Sequence, residues 1–300
     1  MMAISKSAAW LGLLASVLLS APFPAAQSLP ETVAVVTDTT GEVTDLSSLS
    51  SGEEYFAAFN VGGCGLVLVL KEYRVPYYGH VEGTYSLFVQ FSQMKEITRI
   101  KKGVFKIALS DGASMECGIE DNAFIKGRCS LGMLTLTFDK VQVLRIIACK
   151  PTVIPPRPGA KGKIILRDNR VIESGNINAY YYVPSRYINV SGDRLFSQTL
   201  WLETKKGAAE LEVSMPFSDV GKVVFDKVKA APDKSSCSTG ESVSVTLKNG
   251  TVLSGRVFNE SYRDKSFETL CGMSGDYLFR VKGLGWVVDT VDFSNSSPAN

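Results

Sequence analysis

The sequence predicts an all-β protein assembled from several small β units in tandem. Three observations lead there. Apolar residues alternate with polar ones on both sides of Asp-Gly, Asn-Gly and Asp-Asn corners. A second pattern, with apolar residues three apart and then alternating, follows each such ribbon. Beyond the N-terminal segment no long stretch keeps a helical period of 3.6.

The ribbons are read directly. Phe105-Lys-Ile107-Ala-Leu109-Ser-Asp111-Gly112-Ala-Ser-Met115-Glu-Cys117-Gly-Ile119 is apolar at every second position around its Asp-Gly. Val243 to Val257 has the same layout around Asn249-Gly250, and Lys163 to Ile172 around Asp168-Asn169. Gly and Asn reach positive φ at little cost, so these dipeptides predict two-residue type I′ hairpins between half-buried strands.

The second pattern appears as Phe138-Asp-Lys-Val141-Gln-Val-Leu144-Arg-Ile146 and as Phe217-Ser-Asp-Val220-Gly-Lys-Val223-Val-Phe225. Val281-Lys-Gly-Leu284-Gly-Trp286-Val-Val288 follows it loosely, and Phe91-Ser-Gln-Met94-Lys-Glu-Ile97 is a further copy. A strand, one 3₁₀ turn that stacks i over i+3, and a second strand produce this spacing. Residues Val69 to Val75, leading to Gly79-His80-Val81, form a weaker opening half without a glycine corner.

Hairpin, connector, strand, 3₁₀ turn and strand is a layout that resembles the small SH3-like and Sm-like barrels, over roughly residues 64 to 293. The stretch 31–60, with Val33-Ala-Val35-Val36-Thr-Asp-Thr-Thr-Gly41-Glu-Val43, resembles the opening of FecR-like envelope modules. That likeness competes with an additional barrel copy for the N-terminal region. Either implies an all-β fold.

Residues 1–28 read as a secretory signal. Lys6 precedes the apolar run Ala8–Leu19, small residues follow, and cleavage is expected after Ala21 or within Ala26-Gln27-Ser28. The run is short for a span, and Pro22 and Pro24 follow it. The expected organisation is then an N-terminal β region at 29–150 that includes a unit at 103–148, and a Pro-rich linker at 151–161. A unit at 162–228 with an aromatic insertion, a linker at 229–241, a C-terminal unit at 242–294 and a tail at 295–300 complete it.

Composition narrows the function. The 300 residues are 45% hydrophobic, enough for packed cores, and the net charge of +2 gives no global field for nucleic acid. A single histidine, His80, leaves few metal or general-base arrangements. An exported chain with six cysteines predicts disulfides among Cys64, Cys117, Cys129, Cys149, Cys237 and Cys271. Position suggests Cys117 with Cys129, Cys237 with Cys271, and Cys64 with Cys149 by elimination, although spacing alone does not determine connectivity. Neither Cys-x-x-Cys nor zinc-type Cys/His spacing occurs, and no cofactor or metal is expected.

The stretch between Ile177 and Glu212 is much longer than its counterpart between Ile119 and Leu134, and carries Tyr180, Tyr181, Tyr182, Arg186, Tyr187, Arg194 and Trp201. Insertions in a repeated unit collect on one face, and aromatic and Arg side chains suit protein or glycan recognition. The same aromatics also suit ordinary strands packed on a neighbouring unit. Ser92-Gln-Met-Lys95 has the Ser-x-x-Lys spacing of penicillin-interacting enzymes, but it sits in strand-like sequence and no Lys-Thr-Gly accompanies it. Asn189, Asn249, Asn259 and Asn295 head glycosylation triplets.

The expectation is a secreted or periplasmic, non-catalytic binding or scaffolding protein. It would use connector loops or sheet edges to hold a protein or polysaccharide partner, with no nucleic acid and no span after cleavage. The alternative is a secreted hydrolase with a cysteine nucleophile, for which Cys64 and His80 are the available pair.

Overall fold

The computed structural model describes residues 31–52, 63–74, 81–119, 123–155, 158–182, 196–206, 208–227, 242–257 and 266–294. Residues 1–28, 229–241 and 295–300, expected as signal, linker and tail, lie outside them.

The first part of the chain forms β1 (Ala34–Asp38), β2 (Val43–Leu46), β3 (Ser50–Ser51), β4 (Gly65–Arg74), β5 (Val81–Gln90) and β6 (Met94–Lys101). There follow β7 (Val104–Leu109), β8 (Ser114–Ile119), β9 (Phe124–Cys129), β10 (Gly132–Thr137) and β11 (Val141–Ile146). The second part forms β12 (Ala160–Leu166), β13 (Val171–Tyr182), β14 (Phe196–Ser197), β15 (Thr199–Lys206), β16 (Ala209–Pro216) and β17 (Val220–Phe225). It ends with β18 (Ser242–Leu247), β19 (Val252–Val257), β20 (Ser266–Ser274), β21 (Tyr277–Lys282), the helical turn α1 (Leu284–Val287) and β22 (Val288–Asp292). The protein is all-β and its ladders are antiparallel: 19 strands are linked into one sheet, while β3, β9 and β10 form another. No helix among the described residues is long and apolar enough to cross a membrane.

The three predicted ribbons are hairpins: β7–β8, β18–β19 and β12–β13. Their corners are not two-residue type I′ turns. Leu109 N–H donates to Ala113 O at 2.8 Å and Gly112 N–H to Leu109 O at 3.2 Å, leaving a three-residue loop with Gly112 at φ +94°. Leu247 with Thr251 and Gly250, and Leu166 with Arg170 and Asn169, repeat both bonds, with φ of +87° at Gly250 and +67° at Asn169. This is a type I turn closed by a left-handed residue, which accommodates the strand twist with one extra residue. The middle Asp111, Asp168 or Asn249 accepts from the backbone N–H two residues on, which favours the turn. The β1–β2 corner has the same two backbone bonds, between Asp38, Glu42 and Gly41.

The second pattern also lands where predicted. Phe91–Gln93 and Phe138–Lys140 are 3₁₀ turns, 217–219 is a turn, and α1 occupies the fourth place. Phe91, Phe138, Phe217 and Leu284 open these corners and are buried, as are Met94, Val141 and Val220 three residues beyond the phenylalanines. The i, i+3 stacking of a tight turn is what places both side chains in the core. Each corner is bonded to one hairpin turn. Ser110 N–H donates to Gln93 O, Thr39 to Lys140 O, Lys248 to Asp219 O and Arg167 to Val287 O, all at 2.9 Å.

Strand pairing follows these contacts rather than chain order. One group is β6–β7–β8–β4–β5, and another is β17–β18–β19–β15–β16. The other two groups are split in sequence: β11, β1 and β2 join β9 and β10, and β22, β12 and β13 join β20 and β21. Ser47 N–H links β2 to β9 by donating to Arg128 O at 2.8 Å. Among the described residues no group closes as a hydrogen-bonded barrel, because the corner lies between the two strands at its ends. The groups are sewn together by β6·β11, β17·β22 and β5·β21.

Candidate docking edges

Four strands lead into corners, and among the described residues only two of them are paired on both sides. β5 lies between β4 and β21, and β21 between β20 and β5. Among the described residues, β10 pairs only with β9 and β16 only with β15. An edge strand presents a row of backbone N–H and C=O groups that another strand can satisfy, and proteins usually guard such edges with charge, proline or a bulge.

β10 has none of these guards. Gly132-Met-Leu-Thr-Leu-Thr137 is uncharged, its register with β9 runs without a bulge, and Leu131 and Met133 are 96% and 64% exposed. Leu134 and Leu136 are half-buried against the main core. Met133, Thr135 and Thr137 share the outer face with Arg128, Lys126 and Phe124, their partners on β9. Lys126 Nζ stands 5.0 Å from the centre of the Phe124 ring. The outer face beside this edge is therefore basic.

β16 carries the opposite charge. Met215 is buried and Leu211 is 39% exposed at the inward positions, while Glu210, Glu212 and Ser214 point outward. Across on β15, Glu203 faces Glu212, Lys205 faces Glu210 with Nζ 3.9 Å from its carboxylate, and Trp201 faces Ser214.

The aromatic stretch singled out in the sequence is divided by the fold. Tyr180 lies on β13 between Thr269 of β20 and Phe196 of β14, Tyr181 faces Phe267, and Tyr182 faces Ser266. Trp201 lies on β15, half-buried and packed on the main core beside the acidic edge. Arg186, Tyr187 and Arg194 lie outside the described residues.

Cys64, Cys117, Cys129 and Cys149 are free thiols, so the pairings Cys117 with Cys129 and Cys64 with Cys149 are not formed. Burial pushes the Cys117 thiol up to about 12 and raises that of Cys149, which leaves both protonated at neutral pH. Cys271 is buried with its Sγ 3.8 Å from Asn178 O. Cys237 and His80 lie outside the described residues, and with them the proposed thiol–imidazole pair.

A shallow groove of about 570 Å³ runs beside β12, lined by Lys161, Lys163, Glu173, Asn176 and Asp292 among others. Its charges are engaged with one another: Lys163 Nζ is 2.6 Å from Glu173 Oε1, which raises the Lys163 pKa and lowers that of Glu173.

The edges were not singled out from sequence. The available clue is the uncharged Met133-Leu-Thr-Leu-Thr137 run, which lacks the charges that β16 and most other strands carry. Compared with known proteins, the chain matches no family model, no curated protein and no solved structure.

Proposed function

We propose that this chain is an exported, non-catalytic scaffolding protein that binds by strand addition at β10 and β16. The observation that carries the reading is the β5·β21 ladder. Two strands of the same class as the open edges, each leading into a corner, already join two strand groups edge to edge within the chain. Main-chain hydrogen bonds supply the affinity in such joints and side chains set the register. The four corner-and-hairpin contacts support reading the groups as four copies of a small SH3-like unit, interleaved in pairs. Export rests on Lys6 and the apolar run Ala8–Leu19, and places the protein in the envelope or outside the cell. The free thiols add nothing to that placement.

A photo-crosslinking amino acid at Met133 or Ser214, introduced in producing cells, tests the reading. Adducts are expected at both positions, with little at Lys106 on the exposed face of the doubly paired β7. Irradiation that yields no adduct at either edge overturns it.

A further inference from the structure

Resting on that reading, we infer that β10 selects an acidic partner: an extended segment of another exported protein in which carboxylates alternate with apolar residues. The charge of the small sheet that β10 ends carries this choice. β3, β9 and β10 together contain Lys126 and Arg128 and no Asp or Glu. Both cations lie on β9, are exposed, and share the outer face opposite Thr135 and Met133. On its other side Lys126 faces Ser50 of β3. Among the described residues neither Lys126 nor Arg128 forms an ion pair, whereas Arg145, Lys163 and Lys205 each have a glutamate partner.

Strand addition turns this charge into a requirement on the partner. A strand docked on β10 alternates its side chains in phase with β10, one row toward the core and one outward. The inward row falls beside Leu134 and Leu136, which are half-buried, so apolar residues there cover area that the single chain leaves exposed. The outward row falls beside Met133, Thr135 and Thr137, which are exposed and uncharged. Two strand spacings, about 10 Å in all, separate that row from Lys126 and Arg128. No charge on β10 stands between, and long basic side chains and glutamates span the gap by leaning together over Met133 and Thr135. Lysines in the outward row would instead meet two cations that nothing neutralises, and β10 of a second copy brings no carboxylate to them. The open backbone and the half-covered leucines admit a strand, and the cations of β9 decide which strand.

Fluorescence anisotropy of capped synthetic peptides, titrated with the full-length chain, tests this inference. The probe alternates valine with glutamate. One counterpart alternates valine with lysine, and another carries the same valines and glutamates in separate blocks. The alternating glutamate peptide is expected to bind about tenfold more tightly than either counterpart, and to weaken as salt is added. Combining Lys126→Glu with Arg128→Glu should reverse the preference in favour of the lysine peptide, while Lys106→Glu on β7 should leave it unchanged. All three positions are exposed, so an unchanged circular dichroism spectrum confirms that each variant is folded. Equal binding of the alternating and block glutamate peptides would reflect attraction to polyanions alone and overturns the inference, as does a preference that survives the double reversal. If no peptide binds while crosslinks to other proteins persist at Met133 in cells, acidic selection fails and the docking edge stands; loss of both removes both.

Discussion

Leu144 on β11 faces Ile97 on β6, and this contact is the seam between two strand groups whose hairpins lie far apart in sequence. Both side chains are fully buried. Each also faces a hairpin residue on its other side, Val36 for Leu144 and Ile107 for Ile97. In the second part of the chain Val223 faces Val291 across β17 and β22 and repeats the arrangement with Val245 and Ile164. A strand leaving a corner thus binds a hairpin on one edge and its counterpart strand on the other.

Truncation at that seam removes contacts from two groups at once. Leu144→Ala and Ile97→Ala are each expected to lower unfolding free energy by about 2–5 kcal/mol, whereas Met133→Ala stays within about 0.5 kcal/mol. Urea denaturation measures all three. Because the two seam residues touch, the double variant should cost less than the sum of the single ones.

The hairpin corners depend on backbone conformation rather than on space. A Cβ at Gly112 or Gly250 meets nothing within 4 Å, yet both residues sit at positive φ. Gly112→Ala and Gly250→Ala are expected to cost about 1 kcal/mol each, and Asn169→Gly to be neutral or stabilising. Thermal unfolding of the three variants checks the order.

Cys117 is buried on β8 opposite Phe105, and desolvation holds its thiol at about 12. The folded value lies above the unfolded one, so this group's contribution to stability is complete below about pH 9 and is lost as pH rises toward 12. Stability of the wild-type chain should fall more steeply than that of Cys117→Ala between pH 9 and 10.5. Native Cys117 should also resist thiol reagents at pH 8 while unfolded chain reacts.

Arg170, in the β12–β13 corner, lies 5.2 Å from the centre of the Tyr85 ring on β5 and bonds the Asp168 carboxylate at 2.7 Å. The Arg170 hydrogen bond, more than any other influence, lowers the Asp168 pKa. Its stabilisation is therefore present above the ordinary carboxylate value and is lost as pH falls through the lowered one. The pair is partly exposed, so Asp168→Asn should cost under about 1 kcal/mol at pH 7. Arg170→Ala, which also removes the ring contact, should cost about 1 kcal/mol. Denaturation of both variants at pH 7 and pH 3 separates the two contributions.

Local pattern carried the class of the fold, the three hairpins and the four corners, because alternation and i, i+3 spacing are short-range properties of the chain. The turn type was missed by one residue. Leu109 pairs with Ala113 rather than Ser110 with Ala113, and an Asp-Gly dipeptide is compatible with either loop. The pairing of β8 with β4 and of β19 with β15 was also out of reach, since it is decided by long-range packing. Edge status is relational in the same sense. β5 and β10 both alternate, yet Ser86 and Phe88 are buried on β5 because β21 lies alongside, while Met133 on β10 is exposed. The tyrosines at 180–182 drew attention by composition alone and prove to be residues of a paired strand.

Amide hydrogen exchange of the full-length chain, followed residue by residue, tests the open-edge account most directly. On β10 and β16 the amides that do not bond to β9 or β15 should exchange within seconds, while the rows Thr84–Phe88 of β5 and Leu278–Lys282 of β21, paired with each other, stay protected. Protection of every β10 amide to the level of β5 would contradict the account.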